Sequence, residues 1–140
     1  MSGAECRACR GEWPAATAFI AECGPAKAYL HDDQYFAGWT VLVLKRHVTE
    51  LYELDRDERG ALMEAVSDVA RAVAAVYSAV KMNYALLGNQ LPHIHWHLVP
   101  RAADDPIPRD PVWTHPHAPR SLSPGEQRRR IDTIRARLAR

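Results

Sequence analysis

Leu91-Pro92-His93-Ile94-His95-Trp96-His97-Leu98-Val99-Pro100-Arg101 restricts the fold of this chain more than any other stretch. Histidine alternates with apolar residues along it, and side chains two apart share one face of a strand. His93, His95 and His97 are thus predicted to line one face, while Ile94, Trp96 and Leu98 enter a core. A helix would scatter the same imidazoles, because helical neighbours lie three or four residues apart. The chain is expected to build a sheet with one packed face and one that carries polar chemistry.

The remaining pattern supplies the other layers. Thr17–Cys23 and Ala26–His31, separated by Gly24-Pro25, read as paired strands, and Thr40–Leu44 is a β-branched, apolar strand. Asp55 caps a long helix, with Glu58 completing a capping box. Leu62, Val66, Val69, Val73, Val76 and Val80 give that helix one apolar stripe. Asn83–Leu87 is a further strand, joined to the histidine strand as an antiparallel hairpin through Gly88-Asn89-Gln90. From Ala102 to Pro119 the chain is rich in proline and aspartate and is expected to wrap the surface, with His115 and His117 as surface residues. Trp113 in that segment is a candidate cover for the site or for a dimer surface. Ser123-Pro124-Gly125-Glu126 opens a last helix with Ile131, Ile134 and Leu138 on its buried stripe. The expectation is a single α+β domain over 1–140, an antiparallel sheet of about five strands with one long central helix and a C-terminal helix. Its core spans about 17–101, and 102–140 add the proline-rich segment and the last helix.

Charge argues against several function classes. A net charge of +1 creates no dominant field for nucleic acid or a membrane. The arginines of the last helix (Arg128, Arg129, Arg130, Arg135, Arg137) read as the solvated face of an amphipathic helix. No apolar run reaches the length of a membrane span and the N-terminus lacks a signal pattern, so a cytoplasmic protein is expected. Cys6, Cys9 and Cys23 are an odd set that suggests no disulfide framework. Cys6-Arg7-Ala8-Cys9 has the two-residue spacer that lets both thiolates reach one metal ion, yet alone it is half a site. Cys23 is expected to be a small buried hydrophobe.

Three readings of the histidine row stand open from the residues alone. The imidazoles could be solvated or bonded within a core; they could hold a catalytic metal; or one could be a nucleophile and another its partner at a phosphate. Asn83, Asn89 and Gln90 lie just before the row, where amide donors could hold that phosphate.

The run His93-Ile94-His95-Trp96-His97-Leu98-Val99 resembles the signature of the histidine triad superfamily of nucleotide hydrolases and transferases. Asn83–Asn89, Pro100-Arg101 and Val41–Leu51 also look like this family, so the likeness covers roughly Thr17 to Arg101. The resemblance implies release of a nucleoside monophosphate, with AMP from a diadenosine polyphosphate or a phosphoramidate as the leading substrates. It implies that His95 attacks the α-phosphorus and that His97 contacts the phosphate and helps the leaving group depart. It also implies a structural Zn²⁺ on Cys6, Cys9, His47 and His93, a homodimer, and ribose contacts near Asp33 and Gln34, which otherwise read as a solvated turn. Many relatives carry Gly-His before the central strand; Gly38-Trp39 stands here instead, so no fourth histidine carries over at that place. A nucleotide-binding regulatory protein with little turnover and a metal-dependent hydrolase are the rival readings.

Overall fold

The computed structural model describes residues 2–139. Five strands form one antiparallel sheet: β1 (Phe19–Cys23), β2 (Ala26–Leu30), β3 (Thr40–Leu44), β4 (Lys81–Ala85) and β5 (His95–Arg101), in the order β1-β2-β3-β5-β4. The α+β architecture and the hairpin of β4 with β5 agree with the sequence expectation. Strand β4 lies two residues earlier than expected, and its register pairs Ala85 with His97 and Asn83 with Val99.

Helix α1 (Arg56–Tyr77) starts where Asp55 accepts the Glu58 amide, satisfying one of the open donors of the first turn. The expected capping box is only half made, because the Glu58 carboxylate instead binds Arg46 through Nε and Nη2. Ser78 adopts the left-handed conformation (φ 51°) and ends the helix, so Val80 leaves the stripe and is 68% exposed. The other stripe residues behave as the spacing predicts. Leu62, Val66, Val69 and Val73 are buried against Leu42, Leu44 and Leu98 of the sheet.

Helix α2 (Pro124–Leu138) begins at Ser123, whose hydroxyl accepts the Glu126 amide, and it buries Ile131 and Ile134 in the same core. Arg135 fastens it to the edge strand by donating from Nε to the Ile20 carbonyl at 2.8 Å. Both helices therefore cover one face of the sheet.

The opposite face carries the alternate residues, and two irregular segments border it. The N-terminal segment lays Trp13 edge-on against His95, with ring centroids 5.2 Å apart. The 102–120 segment buries Val112 against Phe36, Trp39 and Val99. Arg101 anchors this second segment. Its five N–H donors go to the Asp105 carboxylate (2.6 and 2.9 Å), the Asn83 side-chain oxygen, and the carbonyls of Asp110 and Ile107. A buried guanidinium with every donor placed is a structural knot and has none left for a phosphate.

Candidate active site and metal centre

Strand β5 begins at His95, so the histidine row divides. His95 and His97 stand two apart inside the ladder, opposite Val43 and Val41 of β3. His93 precedes the strand, where the Ile94 amide already bonds the Val48 carbonyl. The expectation of three imidazoles on one strand face is corrected to two, because pairing starts one step too late to include His93.

His93 instead completes a second cluster. Its Nε2 donates to the Leu44 carbonyl at 2.7 Å, which leaves Nδ1 as the lone-pair nitrogen. Burial, before any neighbour, holds His93 below the ordinary histidine range, and so keeps that lone pair free of a proton. Around Nδ1 lie Cys6 Sγ at 3.4 Å, Cys9 Sγ at 3.5 Å and His47 Nδ1 at 3.3 Å, while Cys9 Sγ is 3.5 Å from His47 Nδ1. A tetrahedral zinc with ordinary bond lengths needs edges of about 3.3 Å between nitrogens and about 3.6 Å between nitrogen and sulfur. These four separations fit that ion, and all four ligand atoms lie within 4.8 Å of one another. Among the described residues, this is the group of His, Cys, Asp and Glu side chains placed to hold a metal. The reading of the histidine row as a three-histidine catalytic metal centre is thereby corrected, since His93 faces another cluster.

The two strand histidines receive opposite proton placements. His95 Nδ1 is 2.7 Å from the His93 carbonyl, which can only accept, so Nδ1 carries the proton and Nε2 the lone pair. His97 Nδ1 receives the Trp39 indole N–H at 3.0 Å, so its proton sits on Nε2. Burial, then the neighbouring His95 and His31, push His97 down to about 3, which makes it neutral near pH 7.

His31 is the functional neighbour that sequence reasoning missed. It stacks on Trp39 at 4.2 Å and lies edge-on to His97 at 5.7 Å. Its Nδ1 accepts the Asp33 amide at 3.1 Å, and burial holds it, too, below the ordinary histidine range. Only its position as the last residue of the expected strand Ala26–His31 could have signalled it. Trp113 reaches the site as one of its two expected places, edge-on to His97 at 5.2 Å and to Trp39 at 5.6 Å.

The substrate-contact expectations fare unevenly. Gln34 is 1% exposed, and its amide donates to the His31 and Trp39 carbonyls, both at 2.8 Å, while its oxygen accepts the Gly38 amide. Its expected ribose contact is corrected, because every polar atom of that side chain is spent inside its own loop. Asp33 is spent similarly, accepting from the Tyr35 and Arg120 amides and from His117 Nε2 at 2.9 Å. Asn83 gives its oxygen to Arg101. Asn89 and Gln90 remain exposed between β4 and β5. His115 and His117 are half-buried over Tyr35 rather than on the surface as expected.

The HIT domain family model matches residues 15–104, the span that contains the sheet, α1 and both strand histidines. The chain belongs to the HIT family. A histidine triad protein from Bradyrhizobium japonicum is 28% identical with TM-score 0.76, over 86% of this chain and 89% of that one. One from Marinobacter aquaeolei VT8 is 25% identical with TM-score 0.76, over 89% and 91%. A Zn-bound histidine triad family protein from Mycobacterium smegmatis has the same fold, at 22% identity and TM-score 0.72, over 99% and 96%. No curated protein sequence matches. Among the described residues no helix is long and apolar enough to cross a membrane.

Proposed function

We propose that this HIT protein is a nucleotide hydrolase or transferase that releases a nucleoside monophosphate, AMP above all, through a nucleotidyl-histidine intermediate. The carrying observation is the 2.7 Å bond from His95 Nδ1 to the His93 carbonyl, which fixes the tautomer a nucleophilic imidazole needs. His95 Nε2 attacks the α-phosphorus. His97, two residues along the same face, offers Nε2–H to the phosphate or the leaving oxygen. Exposed Asn89 and Gln90 supply amide contacts to the phosphate, and a dinucleoside polyphosphate is the leading substrate.

Cys6, Cys9, His47 and His93 hold a structural zinc in this reading, supported by their spacing and by the Zn-bound relative. Four protein ligands leave no open position, so the ion supplies a cross-link between the N-terminal segment and the central strands. The working form is a cytoplasmic homodimer, as the family resemblance implies.

His95→Asn is expected to abolish AMP release from diadenosine tetraphosphate while the protein still folds and binds AMP. Release at the wild-type rate by this variant would sink the nucleophile assignment. Wild-type protein that binds AMP but cleaves no dinucleotide would favour the regulatory binding reading.

A further inference from the structure

We propose that Trp39 is a positioning residue that holds His97 as a neutral hydrogen-bond donor, and that the site therefore takes substrates whose leaving group departs as a stabilised oxyanion, a phosphoric or carboxylic–phosphoric anhydride, rather than as an amine. This rests on the nucleotidyl-transfer reading above.

An indole N–H can only donate. His97 Nδ1, 3.0 Å from Trp39 Nε1, must accept, and a second proton on the ring would set one N–H against another at that distance. Trp39 cannot swing aside. It is 3% exposed, packs with Phe36, Val99 and Val112, and stacks on His31. Its backbone is clamped as well. The Trp39 carbonyl accepts from both Gln34 Nε2 and the His31 amide, and Gly38 before it holds a φ of +92°. A Cβ at Gly38 would fall 2.6 Å from the Tyr77 ring and 2.8 Å from Pro100, so that backbone has little room to shift. The rings of Trp113, His95 and His31 lie 5.2 to 5.7 Å from His97 and displace the water that would solvate a cation there.

The proton inventory then limits the chemistry. The His95 Nε2 lone pair forms a bond to phosphorus as the bond from phosphorus to the leaving oxygen breaks. That oxygen takes the electron pair and departs as a polyphosphate or carboxylate, and His97 Nε2–H donates a hydrogen bond to it without giving up its proton. Water then bonds to phosphorus, the bond to Nε2 breaks with its pair returning to the ring, and the water proton goes to solvent. A phosphoramidate cannot follow this course. Its nitrogen would leave as a strongly basic anion unless protonated first, and His97, with its only proton on Nε2 of a neutral ring, is no acid for it. A histidine at position 39, which the family resemblance gives for many relatives, could take up and pass a proton; tryptophan cannot.

The test measures AMP release from diadenosine tetraphosphate and from adenosine 5′-phosphoramidate by wild type, Trp39→Phe and Trp39→His, together with the ¹⁵N NMR signals of His97. Wild type is expected to cleave the anhydride at least about 100-fold faster, the scale of a missing general acid. The NMR signals should show Nδ1 unprotonated and Nε2 protonated around neutral pH. Trp39→Phe keeps the ring but should mix the His97 tautomers, lowering kcat on the anhydride by about tenfold or more with KM little changed, as for a lost transition-state donor. Trp39→His should raise the phosphoramidate-to-anhydride ratio. Wild-type cleavage of the phosphoramidate as fast as the anhydride, or a protonated His97 Nδ1, overturns the proposal even where both variants misfold. Release from neither substrate overturns the nucleotidyl-transfer reading itself, and with it the substrate half of this inference; the NMR signals still decide the Trp39 half.

Discussion

Gln34 shows how much a single buried amide can organise. Three backbone groups meet its side chain inside the loop between β2 and β3: the His31 and Trp39 carbonyls and the Gly38 amide. Removing the side chain leaves the His31 carbonyl and the Gly38 amide in a site with no replacement partner, while the Trp39 carbonyl keeps the His31 amide, and an unsatisfied buried group costs roughly 1–3 kcal/mol. Gln34→Ala is therefore expected to lower stability by about 2–3 kcal/mol, measured by urea denaturation. A loss indistinguishable from zero would show that the loop repacks. His31 and Trp39 lie at the ends of this clamp, so the same variant should also blunt the His97 tautomer signal. None of this was legible in Asp32-Asp33-Gln34, which reads as an ordinary polar turn until the loop is closed. Trp39 was legible only as a departure from the family pair; its bond to His97 required the fold.

At the scale of elements, the 102–120 segment wraps the surface without a strand or α-helix, as its proline and aspartate imply, and both its ends are tied down. Arg101 and Asp105 form a buried bidentate pair at one end. At the other, Asp33 accepts from the Arg120 amide and from His117 Nε2, and the Gln34 amide donates to the Arg120 carbonyl. His117 makes two donations at once, Nε2–H to Asp33 and Nδ1–H to the His115 carbonyl at 2.7 Å, which only an imidazolium can do. The Asp33 hydrogen bond, against the opposing effect of burial, accordingly holds His117 above the ordinary histidine value. A raised folded value stabilises below about pH 6.5, where the ring is charged in both states, and the benefit is lost as pH rises through the folded value. For Asp33, burial alone would raise the carboxyl, but the Arg120 and Tyr35 amides and His117 outweigh it and hold it below the ordinary range. Its contribution fades only as pH falls through that lowered value. The latch is thus expected to weaken from neutral towards alkaline pH, read as faster hydrogen exchange of the Arg120 amide relative to core amides. A His117→Gln variant should flatten that dependence; an unchanged profile would remove the latch from the account.

For the whole molecule, the Cys2His2 cluster is the feature with the largest reach. It links the N-terminal segment, the end of β3 and the approach to β5, three regions far apart in sequence. Structural zinc binding is folding free energy, of order 10 kcal/mol in small zinc domains and less in a protein with its own core. Purified protein is expected to carry one zinc per chain by elemental analysis, and chelation should lower Tm and release Trp13 from His95, seen as a change in tryptophan fluorescence. Cys6→Ser should reproduce both effects. Protein that holds no zinc, with a Tm indifferent to chelator, would leave those side chains as a hydrogen-bonded cluster only. Periodicity and capping in the sequence determined most of the scaffold: the five strands to within about two residues, α1 from Asp55, α2 from Ser123, and His95 and His97 on one face. These are local properties, set by the two-residue and 3.6-residue repeats and by short-range caps. The tertiary structure alone decided that pairing begins at His95, that Asp33, Gln34 and the Asn83 side-chain oxygen are spent on the frame, and that Trp39 and His31 stand beside His97. Those outcomes depend on which buried polar group meets which partner across many residues, a choice made by packing and desolvation once the chain has closed.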